Sequence, residues 1–145
     1  MNVLLLEDDD LVADLLETVV AGSYPGAFVQ KASNLAQAFD KVADATFGLI
    51  ITDWNLPDGS GLELVRKVRA RDTELPIVMV SARADRDSVL KAAHYGISGY
   101  ITKPFDVAMV HKRLAELIEP GPVSGVPELQ DVLKSSLDRV IQLPG

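Results

Sequence analysis

The sequence predicts an α/β protein: a doubly wound (βα)5 sandwich with a five-stranded parallel sheet and helices on both faces. Three observations predict it. Short runs rich in leucine and β-branched residues alternate five times with segments of helical spacing. Those runs carry almost no polar residue, so both faces of each strand need cover, a property of parallel sheets. Right-handed crossovers then leave a doubly wound sheet as the way to place the helices.

The first strand is Val3 to Leu6. Leu11, Leu15, Leu16, Val19 and Val20 follow at three- and four-residue intervals, predicting one apolar face of a helix that Gly22 and Pro25-Gly26 stop. A second strand is expected at Phe28 to Ala32. Asn34 opens a helix with Leu35, Ala38, Phe39 and Val42 on its buried side. Leu49 to Thr52 is the third strand, and Ser60 to Arg71 a helix with Leu62, Leu64, Val65 and Val68 apolar. Pro76 precedes the fourth strand, Ile77 to Val80. The fourth helix runs from about Asp85 to Tyr95 and ends at Gly96. Tyr100 to Thr102 is the fifth strand, and a helix spans Asp106 to Ile118.

Residues 1–119 therefore read as one domain. Residues 120–126 read as a linker, since the stretch PGPVSGVP places three prolines and two glycines in eight residues. In residues 127–145, Leu129, Val132, Leu133, Leu137, Val140 and Ile141 form one helical stripe. That tail is expected to be an amphipathic helix or the start of a truncated downstream region. The ending Leu143-Pro144-Gly145 reads as a cut inside a longer protein.

Composition narrows the chemistry. The 145 residues are 48% hydrophobic and 24% charged, ordinary for a soluble globular domain. No apolar run approaches the roughly 20 residues that cross a bilayer, and the start MNVLLLEDDD lacks the basic flank of a signal peptide. There is no cysteine, which excludes disulfides and thiolate chemistry and is compatible with the expected cytoplasmic location. His94 and His111 fall in separate helical patterns, too few and too far apart for zinc. The net charge of −7, with no dense basic cluster, argues against direct contact with nucleic acid.

In a doubly wound sheet the chemistry collects at the carboxyl ends of the strands. Strand one ends in Glu7-Asp8-Asp9-Asp10, strand three in Asp53, strand four in Ser81, and strand five in Lys103-Pro104. Clustered carboxylates repel unless a cation sits among them. Hard oxygen ligands with an open edge suit Mg²⁺. A carboxylate can attack a phosphoryl group and hold it covalently, and phosphoryl transfer needs mainly positioning and charge neutralisation, which a metal, Lys103 and Ser81 can supply. Each residue has a plainer role as well. Acids ahead of a helix are ordinary N-caps, the expectation for Asp9 and Asp10. A strand-end serine is usually a cap, and a lone lysine is usually solvated. Asp53 is harder to explain that way, because it follows an apolar central strand and a charge there needs a partner.

The segments LLLEDD, IITDWNLPDGSGLELVRKVR, PIVMVSARAD and GYITKPF resemble, in order and spacing, those of two-component receiver domains over about residues 2–119. The resemblance implies that Asp53 is the phosphoacceptor and that Mg²⁺ is held by Asp8 directly, by Glu7 largely through water, by Asp53 and by the backbone carbonyl of Asn55. It implies that Ser81 is a switch hydroxyl, with the small Ala82 beside it. Lys103 becomes the lysine of the family pattern, ahead of a cis peptide to Pro104, and Tyr100 an aromatic switch that turns inward when Ser81 moves. The donor would be a histidine kinase or a phosphotransfer protein. The fourth helix, fifth strand and fifth helix would form the output face, and a homodimer could use that face or the C-terminal helix.

The sequence departs from the family in places. Leu35 stands where a glycine is frequent, the acid pair is Glu-Asp, and Ser98-Gly99 replaces two acids found in winged-helix transcription factors. A dehalogenase-type phosphatase would use similar groups but needs a second Asp where Asn55 stands, and a cap domain. A nucleotide-binding protein would need a glycine-rich phosphate loop, and neither GxxxxGK[ST] nor GxGxxG follows a strand. A degenerate receiver, acting only as a binding module, would not need the complete set.

Overall fold

The computed structural model describes residues 1–118. Along the chain lie β1 (Asn2–Leu6), α1 (Asp10–Ser23), β2 (Phe28–Ala32), α2 (Leu35–Asp44), β3 (Leu49–Asp53), β4 (Asn55–Leu56), β5 (Gly59–Ser60), α3 (Gly61–Arg69), β6 (Ile77–Ser81), α4 (Arg86–Tyr95), β7 (Gly99–Thr102) and α5 (Val107–Ile118). Five of the strands form a parallel sheet in the order β2-β1-β3-β6-β7. This is the expected doubly wound fold. The linker and helical tail expected over residues 120–145 lie outside the described residues.

Period-two alternation divides the sheet between two cores. Leu4, Leu6, Ile50, Ile77 and Met79 pack towards α2, α3 and α4. Their neighbours Val3, Leu5, Leu49, Ile51, Val78 and Val80 pack towards α1 and α5. Register aligns the strand ends: Leu6 pairs with Thr52, Asp53 with Val80, and Ser81 with Thr102. The winding direction reverses between β1 and β3, so a crevice opens beyond Leu6 and Asp53.

Local signals set the helix ends. Asp9 caps α1, its carboxylate accepting from Leu11 N at 2.9 Å and Val12 N at 3.2 Å, which is the capping role expected of it. Ser60 and Glu63 form a reciprocal capping box on α3. Gly96 closes α4 at φ 106°, a left-handed geometry that disfavours other residues.

Two features differ from the sequence reading. The buried stripe of α1 is Ala13, Leu16, Val19 and Val20, while Leu11 is 82% and Leu15 41% exposed. Leu15 stands about 100° around the helix from Leu16, so three- and four-residue spacing alone did not choose between two overlapping stripes. The antiparallel pair β4 and β5 was not expected, since two-residue strands are too short to show a period. Among the described residues, no helix is long and apolar enough to cross a membrane.

Candidate functional site

Glu7 follows β1, Asp53 ends β3, and Lys103 follows β7, so three strand ends deliver three charges to the crevice. The Lys103 ammonium lies 2.6 Å from Glu7 Oε1 and 3.0 Å from Asp53 Oδ2. The other oxygen of each acid is also engaged. Glu7 Oε2 accepts from Asp9 N at 3.1 Å, and Asp53 Oδ1 accepts from Trp54 N at 2.6 Å. Glu7 is 3% and Asp53 9% exposed, so both depend on these partners for charge compensation.

Burial pushes the Glu7 carboxyl above the usual glutamate range, and the Asp53 charge adds to the push. Hydrogen bonds from Lys103 and Asp9 oppose it without cancelling it. For Lys103 the balance differs. Burial pulls its ammonium down, but the hydrogen bonds to Glu7 and Asp53 and their charges outweigh burial and raise it above the ordinary lysine value. The lysine is thus firmly cationic, while Glu7 beside it retains unmet demand for positive charge.

Asp8 is exposed at the lip of the crevice. Ligand atoms of Glu7, Asp8 and Asp53 all fall within 4.8 Å of one another. All are hard oxygens, and one side of the group opens to solvent through Asp8. That donor set fits Mg²⁺, which keeps several waters and takes few carboxylates.

Ser81 ends β6, beside Asp53's strand and one residue beyond its register partner. It is fully buried, and its Oγ accepts from Arg83 N at 3.1 Å. Lys103 N donates to Ser81 O at 2.8 Å, tying the strand that carries the hydroxyl to the residue that carries the ammonium. Ala82 is exposed next to it. Asn55 is exposed in β4, and its Oδ1 accepts from Arg83 Nη2 at 3.1 Å. Tyr100 lies inward, 1% exposed, with its hydroxyl donating to Arg83 O. Burial raises its phenol, against a lowering contribution from Ser81. The Lys103-Pro104 peptide is cis.

Two residues of the crevice were not singled out from the sequence. Gly61 donates its N–H to Trp54 O at 2.7 Å, and a Cβ at Gly61 would stand 1.9 Å from Asp53 O. It permits α3 to start against the backbone of Asp53. In the sequence, Asp58-Gly59-Ser60-Gly61 carries only the composition of a turn, with nothing to mark that approach. Arg83 touches Ser81, Asn55 and Tyr100, and its guanidinium lies 4.7 Å from the Trp54 ring centroid. The signal that could have found it is its place two residues beyond Ser81.

The family model for the response regulator receiver domain matches residues 3–115. The chain is similar to the chemotaxis protein CheY of Pseudomonas aeruginosa, 37% identical over 84 residues, 57% of this chain and 68% of the relative. It is also similar to the chemotaxis protein CheY-3 of Vibrio cholerae, 34% identical over 92 residues, 62% of this chain and 71% of the relative. Among solved structures, a putative response regulator from Chloroflexus aurantiacus superposes with a TM-score of 0.73 at 29% identity, covering 80% of this chain and 95% of that one.

Proposed function

Because the chain belongs to the response regulator receiver domain family, we propose that it accepts a phosphoryl group on Asp53 and passes the resulting change to an output partner. Receiver domains are regulatory phosphoacceptors rather than turnover enzymes. The observation that carries the assignment is the Lys103 ammonium bridging Glu7 and Asp53 at the reversal point of the sheet. A carboxylate there is fixed by the Trp54 N–H, charge-balanced, and open on the side of Asp8.

The donor is a phosphohistidine of a histidine kinase or phosphotransfer protein. An Asp53 oxygen forms the new bond to phosphorus, the phosphorus–nitrogen bond breaks, and the imidazole leaves with the bonding pair. Lys103 neutralises charge on the phosphoryl oxygens, and Ser81, with the small Ala82 beside it, supplies a hydroxyl to one of them. Glu7, Asp8, Asp53 and the backbone carbonyl of Asn55 would hold Mg²⁺. When bound, the ion offsets the charge of the acids and of the incoming phosphoryl group.

The read-out follows from who touches whom. Ser81 and Tyr100 meet at Arg83, whose amide serves the first and whose carbonyl serves the second. A pull on Ser81 therefore reaches β7 and the start of α4, biasing the α4-β7-α5 face and the cis Lys103-Pro104 turn. We place the phosphoacceptor domain at residues 1–119. Its setting is the cytoplasm, and it makes no contact of its own with nucleic acid or membrane.

The test is intact-protein mass spectrometry after exposure to acetyl phosphate and Mg²⁺. Wild type gains one phosphoryl mass, and Asp53→Asn does not. Equal incorporation in both removes Asp53 as the acceptor.

A further inference from the structure

A second cleft opens between α2 and α3, at the opposite end of the sheet from Asp53. Phe47 precedes β3 and Leu75 precedes β6, so both stand at the amino edge of the strands. The cleft has a volume of about 510 Å³. Close-packed interiors leave few voids larger than a water molecule, and pockets that take small molecules enclose about 300–1,000 Å³. The floor is apolar. Phe47, Ile50 and Val68 are buried there, and Phe39, Val42 and Leu75 are partly buried around them. α2, the loop before β3, α3 and the turn before β6 each supply part of the lining. A pit ringed by four short segments suits a small molecule rather than the helix or strand of a partner.

Four charged residues line the mouth: Asp40 on α2, Lys67 on α3, and Arg71 and Asp72 just after it. Two of them are already engaged. The Lys67 ammonium lies 5.0 Å from the Phe39 ring centroid, where the aromatic face attracts a cation. Asp72 Oδ1 accepts from Glu74 N at 2.8 Å and from Leu75 N at 3.0 Å. Asp40 and Arg71 are exposed and belong to opposite walls. Neither side chain makes a hydrogen bond or ion pair among the described residues, with the other or with any third group. Two separated opposite charges above an apolar floor complement a ligand that carries both charges at one end of an apolar body.

We propose that this cleft binds an apolar α-amino acid, with its side chain on Phe47, Ile50 and Val68, its carboxylate at Arg71 and its ammonium at Asp40. A guanidinium holds a carboxylate through two parallel N–H donors, and an aspartate accepts from an ammonium. An acid lacking the ammonium meets the like charge of Asp40, and an amine lacking the carboxylate meets that of Arg71. The zwitterion satisfies both walls. The cleft shares no residue with the crevice around Asp53, so the proposal does not rest on the phosphoacceptor reading.

The experiment titrates the full chain with L-phenylalanine, with hydrocinnamate and with phenethylamine, the last two keeping the ring and one charge each. Amide shifts in two-dimensional NMR locate the ligand and give its affinity. L-phenylalanine is expected to shift the amides of Phe47, Val68 and Leu75 saturably. Each half-ligand should bind roughly five- to ten-fold more weakly, the effect of one charge-assisted contact at an exposed rim. Asp40→Asn and Arg71→Gln change exposed positions and should keep the wild-type circular dichroism spectrum. Asp40→Asn should weaken L-phenylalanine by that same factor and leave hydrocinnamate undiminished. Arg71→Gln should weaken L-phenylalanine equally and leave phenethylamine undiminished. A half-ligand that binds as tightly as L-phenylalanine overturns the proposal, and so does indifference of L-phenylalanine to either substitution. Shifts confined to other parts of the chain, or no saturable shift up to the solubility of L-phenylalanine, overturn it as well.

Discussion

Lys103 holds Glu7 more closely than it holds Asp53: its ammonium is 2.6 Å from Glu7 Oε1 and 3.0 Å from Asp53 Oδ2. The lysine is thus part of the folded structure as well as of the proposed chemistry. Glu7 is the more enclosed acid, with 1% of its side chain exposed against 11% for Asp53. Removing the ammonium leaves a buried carboxylate whose remaining side-chain partner is the Asp9 N–H.

Lys103→Met is therefore expected to remain folded by circular dichroism but to lose stability in metal-free buffer. Breaking an enclosed ion pair costs about 3–5 kcal/mol. The Lys103 side chain is 21% exposed, so solvent screening lowers the expected loss to about 1–3 kcal/mol. Millimolar Mg²⁺ should recover part of it by supplying a different cation to the same acids. Urea unfolding with and without Mg²⁺ checks this. A metal-free midpoint equal to that of wild type would show that the pair carries no stability.

Gly61→Ala tests the close approach of α3 to the acceptor strand. The added Cβ would fall 1.9 Å from Asp53 O and 2.8 Å from Thr52 Oγ1. One contact is backbone in a central strand, so relief must come from shifting the start of α3 or Asp53 itself. Overpacking of this kind costs roughly 1–3 kcal/mol. Both the melting temperature and the rate of phosphorylation by acetyl phosphate should fall. A variant with the wild-type melting temperature and rate would mean that the crevice relaxes freely at this point.

The sheet was legible because its signal is long and redundant. Leu49-Ile50-Ile51-Thr52 and Ile77-Val78-Met79-Val80 are buried on both faces and can hardly be anything but central parallel strands. Glu7, Asp53 and Lys103 were legible for the same reason, since strand ends in such a sheet share one rim. What escaped depends on side-chain direction. Leu11 and Leu15 fit a helical spacing yet point to solvent, and Arg83 reaches Trp54 across a gap that no sequence spacing encodes. Gly61 escaped because the need for a missing Cβ arises from a neighbour eight positions earlier, across the hairpin of β4 and β5.

Tyr24 gives a pH-dependent read-out of the packing of α1 on α5. Its hydroxyl donates to Leu114 O, and burial pushes its phenol up from 10.0 to about 12. The folded state thus holds this proton more tightly than the unfolded chain does. The associated stability is fully present below pH 10 and is lost as the pH rises from 10 to about 12. Phenolate absorbance should show this group as the difference between wild type and Tyr24→Phe, with a midpoint near pH 12. A difference curve centred at 10 would mean that the contact with α5 does not shield the hydroxyl.

Metal binding separates the two acids that follow β1. Glu7 is occupied by Lys103 and by the Asp9 N–H, whereas Asp8 is exposed and has no hydrogen-bond partner among the described residues. Asp8 can therefore offer an oxygen to Mg²⁺ without breaking an existing contact, and Glu7 cannot. Asp8→Ala should weaken Mg²⁺ binding by at least about ten-fold, the scale on which a ligand or its immediate support contributes. Glu7→Ala should weaken it less, because Lys103 then turns wholly to Asp53 while Asp8 remains. Trp54 reports the titration, being buried, bonded through its N–H to Asp53 Oδ1, and covered by Arg83. Its fluorescence should change on adding Mg²⁺ to wild type and return when the ion is chelated. A larger loss of affinity in Glu7→Ala than in Asp8→Ala would reverse the two roles, and place the ion deeper in the crevice, in competition with Lys103.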